Sequence, residues 1–222
     1  MNWFLRERKD LAAHTSYMEK HGEHGHRLLA VPSRDRLERV LRYVLDENEF
    51  LSPYGIRSLS KHHLKDPYIF RVGSHEYRVD YTPGESNTAF FGGNSNWRGP
   101  VWFPINYLLI EALERYHHFY EGEFMIEYPT GSGKKVSLLD VSNDLAQRLS
   151  KIFMPDAQGN RPCHGGDKRF AEDPNWKDLV LFHEYFHGDS AKGLGASHQT
   201  GWTALVTRCI DKSIRTRNGK GS

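Results

Sequence analysis

Cysteine is scarce in this chain: two residues in 222, Cys163 and Cys209. Two thiols make no disulfide framework and no C-x-x-C metal site. Charge of one sign is lacking as well. Thirty Lys and Arg against 28 Asp and Glu leave a formal charge of +2, which removes the electrostatic case for a nucleic-acid or anionic-membrane partner. No stretch approaches 18 consecutive apolar residues, and the opening MNWFLRERKD has no apolar signal core. Neither a membrane span nor a secretory leader is therefore expected, and a soluble cytoplasmic protein is. Strand patterning is sparse too. Only FRVGSHEYRVDY, with Tyr77, Val79 and Tyr81 alternating with charged residues, reads as a hairpin, turning at Gly73-Ser74.

Aromatic residues are plentiful: 5 Trp, 11 Tyr and 12 Phe, 13% of the chain. Mean hydropathy is nonetheless low at -0.68. Rings in so polar a chain either fill the core or line a wet site. Helical spacing predicts five helices. Ser33 to Glu47 carries Leu37, Val40, Leu41, Val44 and Leu45, with Ser33 placed to cap it. Pro104 to Tyr120 carries Ile105, Leu108, Leu109, Ala112, Leu113 and Tyr116, with Pro104 in its first turn. Ser137 to Phe153 opens with a Ser137/Asp140 capping-box pair. Trp176 to His187 and Gln199 to Asp211 complete the set. Residues 1–222 read as one domain with a frayed tail over 213–222. Long connections at Glu49 to Ser60, Pro83 to Phe103 and Gln158 to Asp173 are rich in Gly, Pro, Asn and rings, and loops of that length on a helical scaffold tend to be functional.

Two motifs test that idea and fail. LFHEYFHGD contains His183, Glu184 and His187 in the H-E-x-x-H order, which on a helix would turn two imidazoles to one zinc ion with Glu184 polarising its water. A third ligand is missing: no glutamate follows Glu184, the extended form would need Gly at Ser190 and His at Gly193, and no methionine follows Met154. His198 and Asp189 are the only substitutes at hand, so no metal is expected. YPTGSGKKVS imitates a phosphate-binding loop, yet Lys135 stands where the magnesium-binding hydroxyl belongs. A turn before a helix explains it.

The loop ESNTAFFGGNSNWRGPVWFPINYL survives the same scrutiny. Trp97 and Trp102 offer indole faces for the C–H patches of a pyranose. Arg98, Asn94, Asn96 and Asn106 offer directed donors for its hydroxyls. Gly92, Gly93, Gly99 and Pro100 permit the bends that would bring them together. A purely structural turn with Trp97 in the core is the alternative.

The run WRGPVW followed by NYLL, then HEYFHGD and GLGASHQTGWTALV, resembles the C-terminal part of glycoside hydrolase family sixty-three, the family of processing alpha-glucosidases and mannosylglycerate hydrolases. The upstream EFLSPYGIRSLSKHH resembles a branch of much longer proteins. The resemblance implies an all-α fold, about half of an (α/α)6 toroid with long loops and a small β-hairpin. It implies an inverting alpha-glycosidase of alpha-linked glucosides or mannosides, with Glu184 as general base and no cofactor. An inverting base sits about 6.5–9.5 Å from its acid partner, leaving room for a water. Trp97, Arg98, Trp102 and Asn96 would line the sugar site, with Tyr54 and Arg57 from the preceding loop and Gln199 and Trp202 after it. The family's general acid lies on a Trp-Asp pair, and none of the five tryptophans here precedes an aspartate; Asp80 and Glu85 are the nearest carboxylates to stand in. The implied partners are an oligosaccharide or small glycoside and either the missing half of the toroid or a second copy. Two other readings stay open: a non-catalytic carbohydrate-binding remnant, and a zinc hydrolase through His183, Glu184 and His187.

Overall fold

The computed structural model describes residues 2–12, 20–21, 26–28, 30–89 and 95–219. Among them the chain is mostly helical, with small two-stranded sheets. The longer helices are α1 (Arg34–Val44), α2 (Phe103–Phe119), α3 (Leu138–Lys151) and α5 (Val206–Gly219), with the single turn α4 (Thr200–Thr203) before the last. The antiparallel pairs used below are β1–β2 (Leu51–Ser52, Gly55–Ile56), β3–β4 (Tyr68–Val72, His75–Val79), β5–β6 (Met125–Glu127, Lys135–Ser137) and β7–β8 (Tyr185–Phe186, Gly193–Leu194). No helix among the described residues is long and apolar enough to cross a membrane.

Helix α3 packs against both α2 and α5, and α5 in turn meets α2 through the Lys212–Glu114 ion pair. The start of α3 is a full capping box: the Ser137 hydroxyl accepts from Asp140 N–H at 3.2 Å, and the Asp140 carboxylate accepts from Ser137 N–H at 3.2 Å. Leu138, Val141, Leu145, Ala146 and Leu149 follow at helical spacing, each fully buried. Burying one such leucine contributes about 1.5–3 kcal/mol, and Leu145→Ala would cost about 2–5 kcal/mol. Cys163 and Cys209 are part of the same core as packing groups, and burial pushes both thiols up to about 12.

The buried stripe of α2 differs from the expected one. Ile105 and Leu108 face out, at 51% and 64% exposed, while Phe103, Asn106, Ile110 and Leu113 face in. The stripe is rotated because Asn106 is needed inside. Its amide accepts from Ile56 N–H at 2.7 Å and donates to Ile56 O and Trp102 O, tying β2 to the helix. Val40 on α1 is likewise 54% exposed, whereas Leu37, Leu41 and Leu45 form the buried row.

Two expected elements change. Trp176 to His187 is not a helix: it is a turn at Trp176 to Leu179 followed by an extended segment that includes β7. The apolar residues there take partners from elsewhere in the chain. Phe186 exchanges backbone bonds with Val101 at 2.8 and 3.0 Å, and Glu184 N–H donates to Ala196 O at 2.8 Å. The expected helix from Gln199 breaks into α4 and α5 at Ala204-Leu205. Helix α5 runs to Gly219, and 220–222 lie outside the described residues. The β3–β4 hairpin turns at Gly73-Ser74 as the spacing predicted, and YPTGSGKKVS is the β5–β6 turn before α3.

Candidate active site

The site is built on a small aromatic cluster beside the main core, formed by Trp102, Tyr185 and Leu194 with Trp202 against it. Trp97, Trp102 and Tyr185 make a ladder. The first two rings stack at 4.2 Å and 4°, the second and third at 4.7 Å and 19°. Trp202 leans on Trp102 at 6.2 Å and 50°. Trp102 and Tyr185 are buried, while Trp97 is 38% exposed and forms the open end. An indole face so presented is the surface a pyranose C–H patch prefers.

The loop that carries Trp97 is bracketed from behind. Asn96 is 1% exposed and spends its whole amide on the loop: Nδ2 donates to Thr82 O and Gly84 O at 2.6 and 2.7 Å, and Oδ1 accepts from Arg98 N–H at 3.0 Å. Arg98, 3% exposed, donates to Ser86 Oγ and Asn87 Oδ1. The Trp102 indole N–H donates to Asn96 O at 2.9 Å. These bonds tie down the loop on both sides of Trp97 and anchor the Trp102 ring to it. Gly92, Gly93 and Asn94 lie outside the described residues.

Arg57 forms a second bracket. Its guanidinium donates to Leu51 O, Tyr81 Oη at 3.0 Å and Asp189 Oδ1 at 2.9 Å, and Tyr81 O–H donates to Asp189 Oδ2 at 3.0 Å. Burial raises the Asp189 carboxyl, but the bonds and charge of Arg57, with Tyr81 and Lys61, outweigh it and hold the group below its ordinary value. Burial first, then the Asp189 charge and bond, push the Tyr81 phenol well up. The approach of the two loops requires glycine: a Cβ on Gly99, at φ +139°, would lie 2.6 Å from the Tyr81 ring, and one on Gly188 would lie 2.4 Å from Gly99 O.

Glu184 sits where these loops meet and is half-buried. Its N–H donates to Ala196 O, and its carbonyl accepts from the Trp202 indole at 2.8 Å. The carboxylate lies between Ser95 Oγ, 3.3 Å from Oε1, and Ala196 N–H, 3.4 Å from Oε2. Bonds that long leave an ionised carboxylate most of its accepting capacity. Burial raises the Tyr185 phenol most, with the charges of Glu85 and Glu184 adding to it. Glu85 is exposed on the bracketed loop, while Asp80 pairs with Arg78 at 2.7 Å.

Of the other expected contacts, Trp202 joins the ladder and Gln199 caps α4, its Oε1 accepting from Gly201 N–H at 3.0 Å. Tyr54 lies elsewhere, in an open groove with Lys151, Arg161 and Lys192. Ser95, Tyr185 and Ala196 belong to the site and were not expected there; the adjacency of Tyr185 to Glu184 was the available signal. The extended backbone at 183–187 also dissolves the zinc helix. The His183 imidazole lies over Gly193, where a Cβ would come within 2.1 Å, and His187 Nδ1 accepts from Asp189 and Ser190 N–H. Among the described residues no three His, Cys, Asp or Glu are grouped to hold a metal.

A mannosylglycerate hydrolase MGH1-like glycoside hydrolase domain matches residues 27–203. The chain belongs to that family, a glycoside hydrolase group of the family sixty-three kind. Among particular relatives, the chain is 47% identical to Uncharacterized protein YMR196W of Saccharomyces cerevisiae over 95% of its own length and 20% of the relative's. It is 25% identical to the probable mannosyl-oligosaccharide glucosidase of Schizosaccharomyces pombe and to the mannosyl-oligosaccharide glucosidase of Saccharomyces cerevisiae, each over 80% of this chain. It covers 16% and 15% of those two, and so spans a fifth or less of the curated relatives it matches.

Proposed function

We propose that this chain carries the general-base part of an inverting alpha-glycosidase acting on alpha-linked glucosides or mannosides. Glu184 is the base. Its ionised carboxylate accepts a proton from a water molecule as that water attacks the anomeric carbon on the face opposite the leaving group. The reading rests chiefly on the Glu184 carboxylate lying half-buried beside the Trp97–Trp102–Tyr185 ladder, held among the described residues only by two long bonds. Trp97 stacks on the sugar ring. Ser95 and Ala196 N–H aim the carboxylate, and Asn96, Arg98 and Arg57 hold the loops that present it.

The relatives' far greater length supports a shared site, in which the remainder of the ring of helices supplies the general acid and α2, α3 and α5 form one arc of an (α/α)6 toroid. The glucosidase names of two relatives support an alpha-glucosidic substrate.

Alpha-glucosyl and alpha-mannosyl fluorides test the base alone, because fluoride departs as an anion and needs no protonation. The chain should hydrolyse one of them to the beta sugar, seen first by NMR, and Glu184→Gln should slow this by about a thousandfold, within the range of a general base. Hydrolysis that persists unchanged in Glu184→Gln removes the assignment. Glycan binding without any fluoride hydrolysis would instead identify a carbohydrate-binding remnant.

A further inference from the structure

A second concavity, separate from the Glu184 site, is lined by unpaired cations. It is an open groove of about 530 Å³ whose walls include Tyr54, Lys151, Met154, Arg161 and Lys192, with Asp156 the one carboxylate. That carboxylate is already engaged. Oδ1 accepts from the backbone N–H of Gln158 and Asn160 at 2.9 and 2.8 Å, and the Asn160 amide reaches both oxygens. Those bonds hold the Asp156 carboxyl below its ordinary value, so it stays a charge turned toward its own loop. Lys151, Arg161 and Lys192 form no ion pair among the described residues.

Arg161 is half-buried and tethered, and Lys192, though exposed, has its stem laid against the neighbouring turn. The guanidinium of Arg161 donates through Nη1 to Phe153 O, which leaves its remaining N–H groups open. The Lys192 stem lies across Gly165: a Cβ at that glycine would come 2.5 Å from Lys192 Cγ and 2.7 Å from Cδ. Gly165 and Gly166 follow one another with φ of +61° and +81°, a double left-handed turn that lowers the backbone out of the way of that stem. Fixed donors beside an aromatic and a thioether wall are what a small organic anion requires. The groove's extent, though open to solvent, is in the range of sites for small organic ligands, which run from about 300 Å³ upward.

We infer that this groove binds a sugar-sized molecule carrying a phosphate or a carboxylate, its oxyanion held by Lys151, Arg161 and Lys192 and its body against Tyr54 and Met154. The site stands independently of Glu184 and of the hydrolytic reading.

Isothermal titration calorimetry on the full 222-residue chain at low salt tests it, with glucose 6-phosphate, gluconate, inorganic phosphate and glucose as probes. Saturable one-site binding of glucose 6-phosphate or gluconate is expected, with inorganic phosphate weaker than the better of the two and glucose silent. Tighter glucose 6-phosphate names a phosphate ligand, and tighter gluconate a carboxylate; either supports the site. Lys192→Met and Lys151→Met keep the stems and should each weaken binding by about tenfold, the ordinary weight of one charge-assisted bond. Lys134→Met, on the β5–β6 turn, should leave it unchanged, and matched thermal unfolding of all three variants confirms that they fold. No binding by any anionic probe overturns the proposal. So does an equal loss in Lys134→Met, which would reduce the effect to general charge.

Discussion

Trp202 holds Glu184 by its main chain: the indole N–H donates to the Glu184 carbonyl at 2.8 Å, while its ring leans on Trp102. One side chain thus couples the backbone of the proposed base to the aromatic ladder. Trp202→Phe keeps much of the ring and deletes the bond. It should lower stability to urea by about 1 kcal/mol. Glu184-dependent hydrolysis of a glycosyl fluoride should fall with it, more in kcat than in KM, because positioning rather than sugar contact is lost. A change in KM alone would mean that Trp202 touches substrate instead.

Gly195 forces the same conclusion from the other side. It has φ +68°, and a Cβ there would lie 2.7 Å from Glu184 Oε2 and 2.8 Å from the Tyr185 ring. Gly195→Ala should cost roughly 1–3 kcal/mol, combining left-handed strain with that contact. Gly133 provides the comparison, with φ +74° and open space around it; Gly133→Ala should cost only about 1 kcal/mol. The excess at Gly195, read by chemical unfolding, measures how tightly the carboxylate is confined. Equal costs at the two sites would show that the Glu184 side chain gives way freely.

The Arg57–Asp189 pair is a scaffold and should behave as one. Arg57 is 4% exposed but Asp189 is open to solvent on one side, so Asp189→Asn weakens a half-screened pair, at a cost of about 1–3 kcal/mol. The pH dependence follows from the direction of the shift. The Asp189 carboxyl is depressed in the folded protein; its stabilisation is therefore full above the ordinary carboxylate value and is lost as pH falls through the lower, folded one. Unfolding curves between pH 5 and pH 2 should show a steeper acid loss in the native protein than in Asp189→Asn. Parallel curves would mean that the pair contributes nothing through charge.

Legibility in the sequence tracked how local each determinant was. Helices α1, α2 and α3 lie where their apolar spacing put them, although the buried stripe of α2 is rotated; the Ser137/Asp140 box formed as read, whereas Ser33 makes no side-chain cap bond at the start of α1. The Gly73-Ser74 turn is equally local. Trp176 to His187 misled because its apolar spacing suits a helix, while its backbone pairs with Val101, far away in sequence, and with Lys192 and Ala196 at the ends of the strand that follows it. Long-range pairing overrode local preference. The polar residues of the Trp97 loop were ambiguous for a chemical reason. The directed donors that would grip a sugar also suit tying a loop, and Asn96, Arg98 and Asn106 do the second. Only burial separates the two uses, and burial is not written in the residue type.

His164 makes the last prediction, since it is buried with neither ring nitrogen bonded. It is 7% exposed, stacks on Phe170 at 4.5 Å, and Nδ1 and Nε2 both lack partners among the described residues. Burial, then the Arg161 cation, depress its pKa, with Asp167 opposing them only in part. Burial likewise depresses His183 and His187. A histidine with a depressed folded pKa binds more protons when unfolded, so stability falls as pH drops below the unfolded value of about 6.5. His164→Phe fills the same space against Phe170 without a polar atom to satisfy. The variant should be at least as stable as the native chain at pH 7.5, and it should lose less between pH 7.5 and pH 5.5, measured as the difference in Tm. His183 and His187 would retain the rest of the acid sensitivity, so a partial effect is expected. If the two proteins decline in parallel, protonation of His164 does not contribute to acid unfolding, and the sensitivity belongs to the other two imidazoles.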